Sequence, residues 1–379
     1  MLNSSKGDKS KLQKQKRREA ARKAWETIRK KRKEAKKLAA KNSRKIEEFI
    51  SPRQMAKISH PEDFFPLKPV KVKPPSYRDV IIHPFSKAPP DIVCGKFWEL
   101  RWAFGCPFNC AYCYLRGTCR GRMRPSYVKL NHVLAALDEV FNDPTFNDGK
   151  PAIFNSGELA DSLMNPPLME KIADKFEEQN RHKLLLLSKC GTKSIEFLVK
   201  NPRKQVICAW SLNAPKVAKL WEKGAPSVED RIQAAKMVQD AGYDVWIRID
   251  PIFPIEDWKY HYELLLLKIF HKELKPKRII LGTPRGLWKT IHYAKKAGVD
   301  MSWTKFFEKG EKTGWGLKLP FNLRKEIYQF MYEKLKELGF DEKRISICKE
   351  TKEMWNVLGF KYVPGACQCY GNHVLEHYK

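Results

Sequence analysis

Six short apolar runs alternating with six stretches of helical periodicity constrain this chain more than any other feature. The runs fall at 96–104, 151–156, 183–189, 205–213, 244–253 and 278–282, and the helical patterns follow at 131–141, 167–179, 194–200, 228–241, 258–274 and 287–297. A strand, a helix and a further strand close most readily as a parallel pair with a right-handed crossover. Units of this kind in series imply one parallel sheet, open or closed into a barrel. In such folds chemistry gathers at the C-terminal ends of the strands, so the residues just after each run are the first candidates for a site.

The flanks differ in kind. Residues 1–50 hold 19 Lys or Arg against 6 Asp or Glu, and residues 11–48 lack Pro and Gly, with Ala21, Trp25, Ile28, Ala35 and Ala39 forming a thin apolar seam. This predicts a solvated basic helical or disordered arm. Residues 51–90 contain Pro52, Pro61, Pro66, Pro69, Pro74, Pro75, Pro84, Pro89 and Pro90, which reads as an extended linker. The expected architecture is α/β: a partial (β/α)6 TIM-type barrel over 91–300, with a small C-terminal extension over 301–379. That extension holds an aromatic and basic stretch at 303–315, an amphipathic pattern at 322–338 and a Cys-rich end.

The net charge of +30 is shared between arm and body. Basic charge on both suggests a polyanionic partner, most simply nucleic acid, because neutralised phosphates release counterions. A merely solubilising arm is the alternative. The most apolar runs, 184–187 and 264–267, abut charged residues and fall far short of the roughly 18 apolar residues of a membrane span. No membrane partner is expected. The N-terminus has no apolar segment of the secretory kind, so a cytoplasmic location is expected, where cysteines serve as metal ligands or active thiols.

After the first strand comes Gly105-Cys106-Pro107-Phe108-Asn109-Cys110-Ala111-Tyr112-Cys113-Tyr114, a C-x3-C-x2-C run on a strand-to-helix loop. Three thiolates so close can hold one metal centre, yet are one short of a four-coordinate zinc or of a cubane's four irons. A [4Fe-4S] cluster at Cys106, Cys110 and Cys113 leaves one iron open to the amino and carboxylate groups of S-adenosylmethionine. A zinc knot completed by Cys94 or Cys119 is the competing reading.

The run resembles the signature of the radical S-adenosylmethionine superfamily, including the aromatic Tyr112 before the third cysteine. Within it, Cys-Tyr-Cys-Tyr-Leu resembles the spore photoproduct lyase family, as do Phe154-Asn155-Ser156-Gly157-Glu158-Leu159-Ala160-Asp161-Ser162, Trp210-Ser211-Leu212-Asn213 and the stretch from Gly224-Ala225-Pro226-Ser227 into Asp230-Arg231. The resemblance implies reductive cleavage of S-adenosylmethionine to a 5′-deoxyadenosyl radical, acting on nucleic acid, most simply DNA carrying a UV lesion. It also implies an electron donor such as ferredoxin or flavodoxin.

By the same resemblance, Ser156, Gly157 and Glu158 hold the methionyl amino group and Lys189 meets its carboxylate. Ser211 and Asn213 bind the ribose hydroxyls. Arg248 and Asp250, alternating with isoleucines, face the interior as cofactor contacts or as an internal ion pair. Tyr114 matches the family's hydrogen-relaying tyrosine. The family's hydrogen-donating cysteine falls where this chain has Gly157, so a substrate radical is left to be quenched by Cys190, Cys119 or Tyr114, or not at all. Cys348, Cys367 and Cys369 are a possible second metal site. The remaining alternatives are an RNA- or peptide-modifying radical enzyme, and a zinc-stabilised nucleic-acid-binding protein without catalysis.

Overall fold

The computed structural model describes residues 77–85, 92–95, 97–313 and 315–360. The chain divides into two units, Met1–Pro74 and Pro75–Lys379, and every described residue belongs to the second. The arm expected over 1–50, together with Cys367 and Cys369, lies outside the described residues.

Eight strands make the central sheet: β1 (Ile82–Phe85), β2 (Phe97–Leu100), β3 (Ile153–Asn155), β4 (Lys183–Ser188), β5 (Val206–Ser211), β6 (Val245–Ile249), β7 (Arg278–Leu281) and β8 (Ile345–Ile347). Their spatial order is their chain order. β1 runs antiparallel to β2, and from β2 to β8 each strand pairs in parallel with the next. The crossovers carry α1 (Leu130–Phe141), α2 (Pro166–Glu177), α3 (Glu196–Lys200), α4 (Val228–Asp240) and α5 (Trp258–His271) in turn. The last crossover carries two helices, α6 (Trp288–Lys296) and α7 (Phe321–Glu337). The result is a mixed α/β fold on a mostly parallel sheet.

The starts of these helices are set locally. Ser227 accepts a hydrogen bond from the Asp230 amide at 3.1 Å to begin α4, and Asn165 accepts one from the Leu168 amide at 3.3 Å to begin α2, whose first position is a proline. The strands read as unbroken apolar runs because both faces of the sheet are covered. Leu184, Leu186, Trp210, Ile247 and Ile279 pack under the helices, while Phe97, Ile153, Leu185, Ile207, Trp246 and Ile280 form a second cluster on the opposite face.

Two segments depart from expectation. Within the proline-rich stretch read as linker, Arg78–Ile81 form a helical turn and β1 joins the sheet, with Ile81 and Ile82 buried. Pro84 is compatible because β1 is an edge strand, whose outward side needs no amide donor. Within the stretch read as an extension, β8 continues the sheet, and α7 and the strand before it are tied to Glu350 just after β8. Arg324 Nη1 meets Glu350 Oε2 at 2.5 Å and Lys318 Nζ meets Glu350 Oε1 at 3.0 Å, all three side chains being buried.

Candidate active site

The cysteine run lies on the loop after β2, and its path depends on backbone that only glycine can adopt. Gly105 has φ +83°, and a Cβ there would stand 2.7 Å from the Met123 carbonyl oxygen. The Cys106 amide donates to Met123 O at 2.8 Å. Asn109–Cys110 pair antiparallel with Glu222–Lys223, and the Ala111 amide donates to Trp221 O at 2.8 Å. The buried Arg116, on the single turn Leu115–Thr118, returns its Nε to Cys110 O at 3.0 Å. The loop is thus held by Met123 and Arg116 of its own connection and by Trp221–Lys223 of the crossover from β5 to α4.

Cys106, Cys110 and Cys113 line one cavity of about 160 Å³. Gly157 and Glu158 after β3, Lys189 after β4, Ser211 ending β5, Arg248 in β6 and Asp250 after it line the same space, as do Tyr112 and Tyr114. The ends of successive strands therefore converge on the cysteine loop. Among the described residues no three Cys, His, Asp or Glu side chains close around a single metal ion. In a cubane cluster each thiolate binds a different iron, and three thiols lining one cavity suit it.

Burial pushes all three thiols above the ordinary cysteine range, Cys110 to about 12, so thiolates form here only against a cationic charge such as a metal centre. Behind Cys110 lies a buried charged group. Tyr112 OH donates to Glu222 Oε1, Arg231 Nη1 meets Glu222 Oε2 at 2.5 Å, and both Glu222 and Arg231 side chains are 1% exposed. Burial alone would raise the Glu222 carboxyl, but Lys189 and Arg231 outweigh it and hold it below its usual range. Burial likewise opposes charge on Lys189, yet Glu222 and Cys110 keep its ammonium above its ordinary value. Across the cavity, Asp250 receives Arg285 Nη2 at 3.2 Å on both oxygens and Arg248 Nη2 at 3.5 Å; these guanidiniums overcome burial and lower its pKa. Arg248 and Asp250 are thus at once an ion pair and part of the lining.

Three sequence candidates stand behind the wall. Ser156 is buried with its hydroxyl 2.8 Å from Ser162 Oγ and 2.9 Å from Leu185 O. Asn213 spends its side chain on Pro251 O at 2.9 Å, the Ala214 amide at 2.9 Å and Tyr262 OH at 2.7 Å, a turn role before the helix Pro215–Trp221. Cys190 is buried, its Sγ 3.4 Å from Asp161 Oδ1. Cys348 is buried against Arg248, whose Nη2 lies 2.7 Å from its sulfur, while Cys367 and Cys369, the other members of the expected second metal site, lie outside the described residues.

Gly157 carries the most informative contact. A Cβ at this position would lie 2.6 Å from Leu187 Cβ and 2.7 Å from Leu187 O, so this backbone has no room for a thiol there. Tyr114, by contrast, faces the cavity; its hydroxyl donates to the Glu158 carbonyl and the Lys349 ammonium stands 5.8 Å from its ring centroid. Sequence reasoning missed Asp161, which takes Ser188 Oγ and the Lys189 amide at 2.7 Å each and so sets the end of β4. It also missed roles for Glu222, Arg285 and Lys349. Lys349 Nζ lies 3.7 Å from Glu158 Oε1, and a polar residue at φ +52° is a turn that no periodicity announces.

A family model described as spore photoproduct lyase matches residues 97–280. The resemblance is to spore photoproduct lyase. The lyase of Clostridium acetobutylicum is 28% identical over 182 residues, covering 46% of this chain and 52% of that protein, and the lyase of Bacillus subtilis is 26% identical over 175 residues, covering 45% and 50%. The chain therefore spans about half the length of the curated relatives it matches. Among solved structures, a spore photoproduct lyase variant with dinucleoside spore photoproduct superposes with a TM-score of 0.56 at 20% identity over 66% of this chain and 75% of that one. Another variant, with bound AdoMet and the same dinucleoside, gives 0.56 at 19% over 67% and 76%. The family-matched residues cover the cysteine loop and strands β2 to β7, and the segment carrying α6, α7 and β8 lies beyond them.

Proposed function

We propose that this chain is a radical S-adenosylmethionine enzyme of the spore photoproduct lyase type, acting on a UV lesion in DNA. One observation carries the reading: three cysteines spaced C-x3-C-x2-C line a single cavity with Gly157, Glu158, Lys189, Ser211, Arg248 and Asp250, each from a strand end or its neighbour. The family match and the lyase structures bound to AdoMet and to the dinucleoside lesion support it. The sheet, in chain order, is read as a partial (β/α)6 barrel opened at its β1 edge.

The donor set fits a [4Fe-4S] cluster on Cys106, Cys110 and Cys113 with S-adenosylmethionine beside it. When bound, that pair supplies reductive homolysis of the sulfonium bond. Glu158 and the Gly157 backbone offer acceptors to a methionyl ammonium, and Lys189 offers a cation to a carboxylate. Ser211, which lines the same cavity, is read as a ribose contact. Asp250, held by Arg285 and Arg248, fixes the opposite wall and keeps its own charge. Tyr114 is read as the residue that passes a hydrogen atom to and from the substrate, a reading supported by its place in the cavity wall, the crowding at Gly157 and the burial of Cys190. Such an enzyme works in the cytoplasm with a ferredoxin or flavodoxin as electron donor. Among the described residues no helix is long and apolar enough to cross a membrane.

The test is 5′-deoxyadenosine release from anaerobically reconstituted, reduced full-length protein, with and without UV-irradiated DNA. Release stimulated by irradiated DNA is expected. An iron-loaded protein that releases none under either condition overturns the reading.

A further inference from the structure

A second and larger cavity, of about 680 Å³, shares a wall with the first, made of Tyr114, Glu158, Arg285, Leu287 and Lys349. Its outer wall comes from residues 285–318, beyond the family-matched region. There the strand Arg285–Leu287 pairs antiparallel with Gly316–Lys318, and the Trp288 amide donates to Trp315 O at 3.2 Å, which sets two tryptophans side by side at the end of this ribbon. Both line the cavity and both are 47% exposed.

The chain holds these indoles there by close backbone packing. A Cβ on Gly316 would lie 2.3 Å from Gly286 O, and one on Gly117 would lie 2.8 Å from the Thr290 amide nitrogen. Only glycines let the ribbon close and let α6 rest directly on the turn that follows the cysteine run. Two indoles half-open to solvent in a concave site are costly to leave in water, and apolar surface displayed this way marks a ligand. The rim supplies the charge: Arg120 and Lys289 line the same cavity, are exposed, and have no carboxylate partner among the described residues.

We propose that this second cavity binds unpaired nucleobases of a DNA strand, stacked on Trp288 and Trp315, with the adjoining phosphates on Arg120 and Lys289. Flat faces with cations beside them suit every base and require none in particular, the pattern of single-strand recognition. A base stacked there reaches Tyr114 across the shared wall. The inference rests on the proposed lyase-type activity for its substrate and deepens it: the DNA is engaged with its bases out of the helix, and the two tryptophans that stack them lie beyond the family-matched residues 97–280.

The test uses the full-length chain and short oligodeoxynucleotides carrying one 2-aminopurine, whose fluorescence falls when it stacks on an indole. A single strand is expected to be quenched, and the same sequence in a duplex much less so. Trp288→Ala and Trp315→Ala should each weaken single-strand affinity roughly ten-fold and abolish most of the quenching, with the salt slope unchanged, while Trp288→Phe keeps most of both. Arg120→Gln and Lys289→Gln should each lower the salt slope by about one, leaving quenching at saturation intact. Unchanged affinity and quenching in both alanine variants, with circular dichroism matching the parent, overturns the proposal; so does duplex bound as tightly as single strand, or an RNA strand bound more tightly than its DNA counterpart. Failure of the enzymatic reading is separable: tryptophan-dependent quenching without any 5′-deoxyadenosine release sinks that reading and keeps this site, and release without such quenching does the reverse.

Discussion

Replacing Glu222 by Gln tests whether the charged group behind the cysteine loop organises it. In the structure the Glu222 carboxylate accepts from Tyr112 and Arg231, lies beside Lys189, and pairs through its backbone strand with Cys110. With Glu222 and Arg231 side chains each 1% exposed, water cannot replace the lost charge. Removing one partner of a buried ion pair costs about 3–5 kcal/mol, because the partner cation is left uncompensated. With a urea dependence of about 3 kcal/mol per molar, the unfolding midpoint should fall by at least about 1 M. The pH dependence has a definite sign. A carboxyl held below its unfolded value contributes stability that is complete above the unfolded pKa of about 4.3 and is lost as pH falls through its folded value. The gap between parent and variant should therefore be constant from about pH 8 to about pH 5 and shrink on further acidification. Urea titrations followed by tryptophan fluorescence, at several pH values, measure it. A Glu222→Gln protein within about 0.5 kcal/mol of the parent at neutral pH, the range of an ordinary surface substitution, would show that the Arg231 and Lys189 charges are stabilised by something other than this carboxylate.

Three further outcomes are expected at the site. Gly157→Ala places a methyl 2.6 Å from Leu187 Cβ and should cost about 1–3 kcal/mol by overpacking, read as a lowered thermal midpoint; a variant as stable as the parent would mean this loop moves freely and that a thiol there was never sterically barred. Cys106→Ala, Cys110→Ala and Cys113→Ala, purified without oxygen, should each lose iron, sulfide and the brown absorbance, and a variant that keeps all three is not missing a ligand. Tyr114→Phe removes only the hydroxyl that donates to the Glu158 carbonyl, so 5′-deoxyadenosine should still form while lesion repair slows roughly ten-fold or more; equal repair rates would make Tyr114 a wall residue.

Much of the fold was legible because it is written in local periodicity. The strand at 183–189 and the helix at 228–241 appear as β4 and α4 within a residue or two, since the run Leu184 to Leu187 packs into clusters on both faces of the sheet and Ser227 and Ala241 bound a helix with one apolar side. The segments misjudged are those whose fate depends on partners far along the chain. Nothing local tells that Pro84 borders a sheet edge or that Ile345 to Ile347 complete it on the other side; the neighbours, Trp98 and Ile280, are 14 and 66 residues away in the chain from Pro84 and Ser346.

The cysteine spacing, the glycine before it and the polar residues ending each strand indicated which side chains gather at one cavity, because thiols three and four residues apart on one loop stay near one another and the strand ends of a parallel sheet lie side by side. Tertiary structure alone decided which polar groups face that cavity. It turned Ser156 and Asn213 into the core, brought Arg285 and Lys349 in from beyond the family-matched residues, and put Glu222 behind Cys110. It also divided the aromatic stretch at 303–315, burying Trp303 and leaving Trp315 beside Trp288 at a second cavity. A side chain's direction depends on the twist of its strand and on what has packed against it. Those are properties of contacts between distant segments, and no local pattern of residue types carries them.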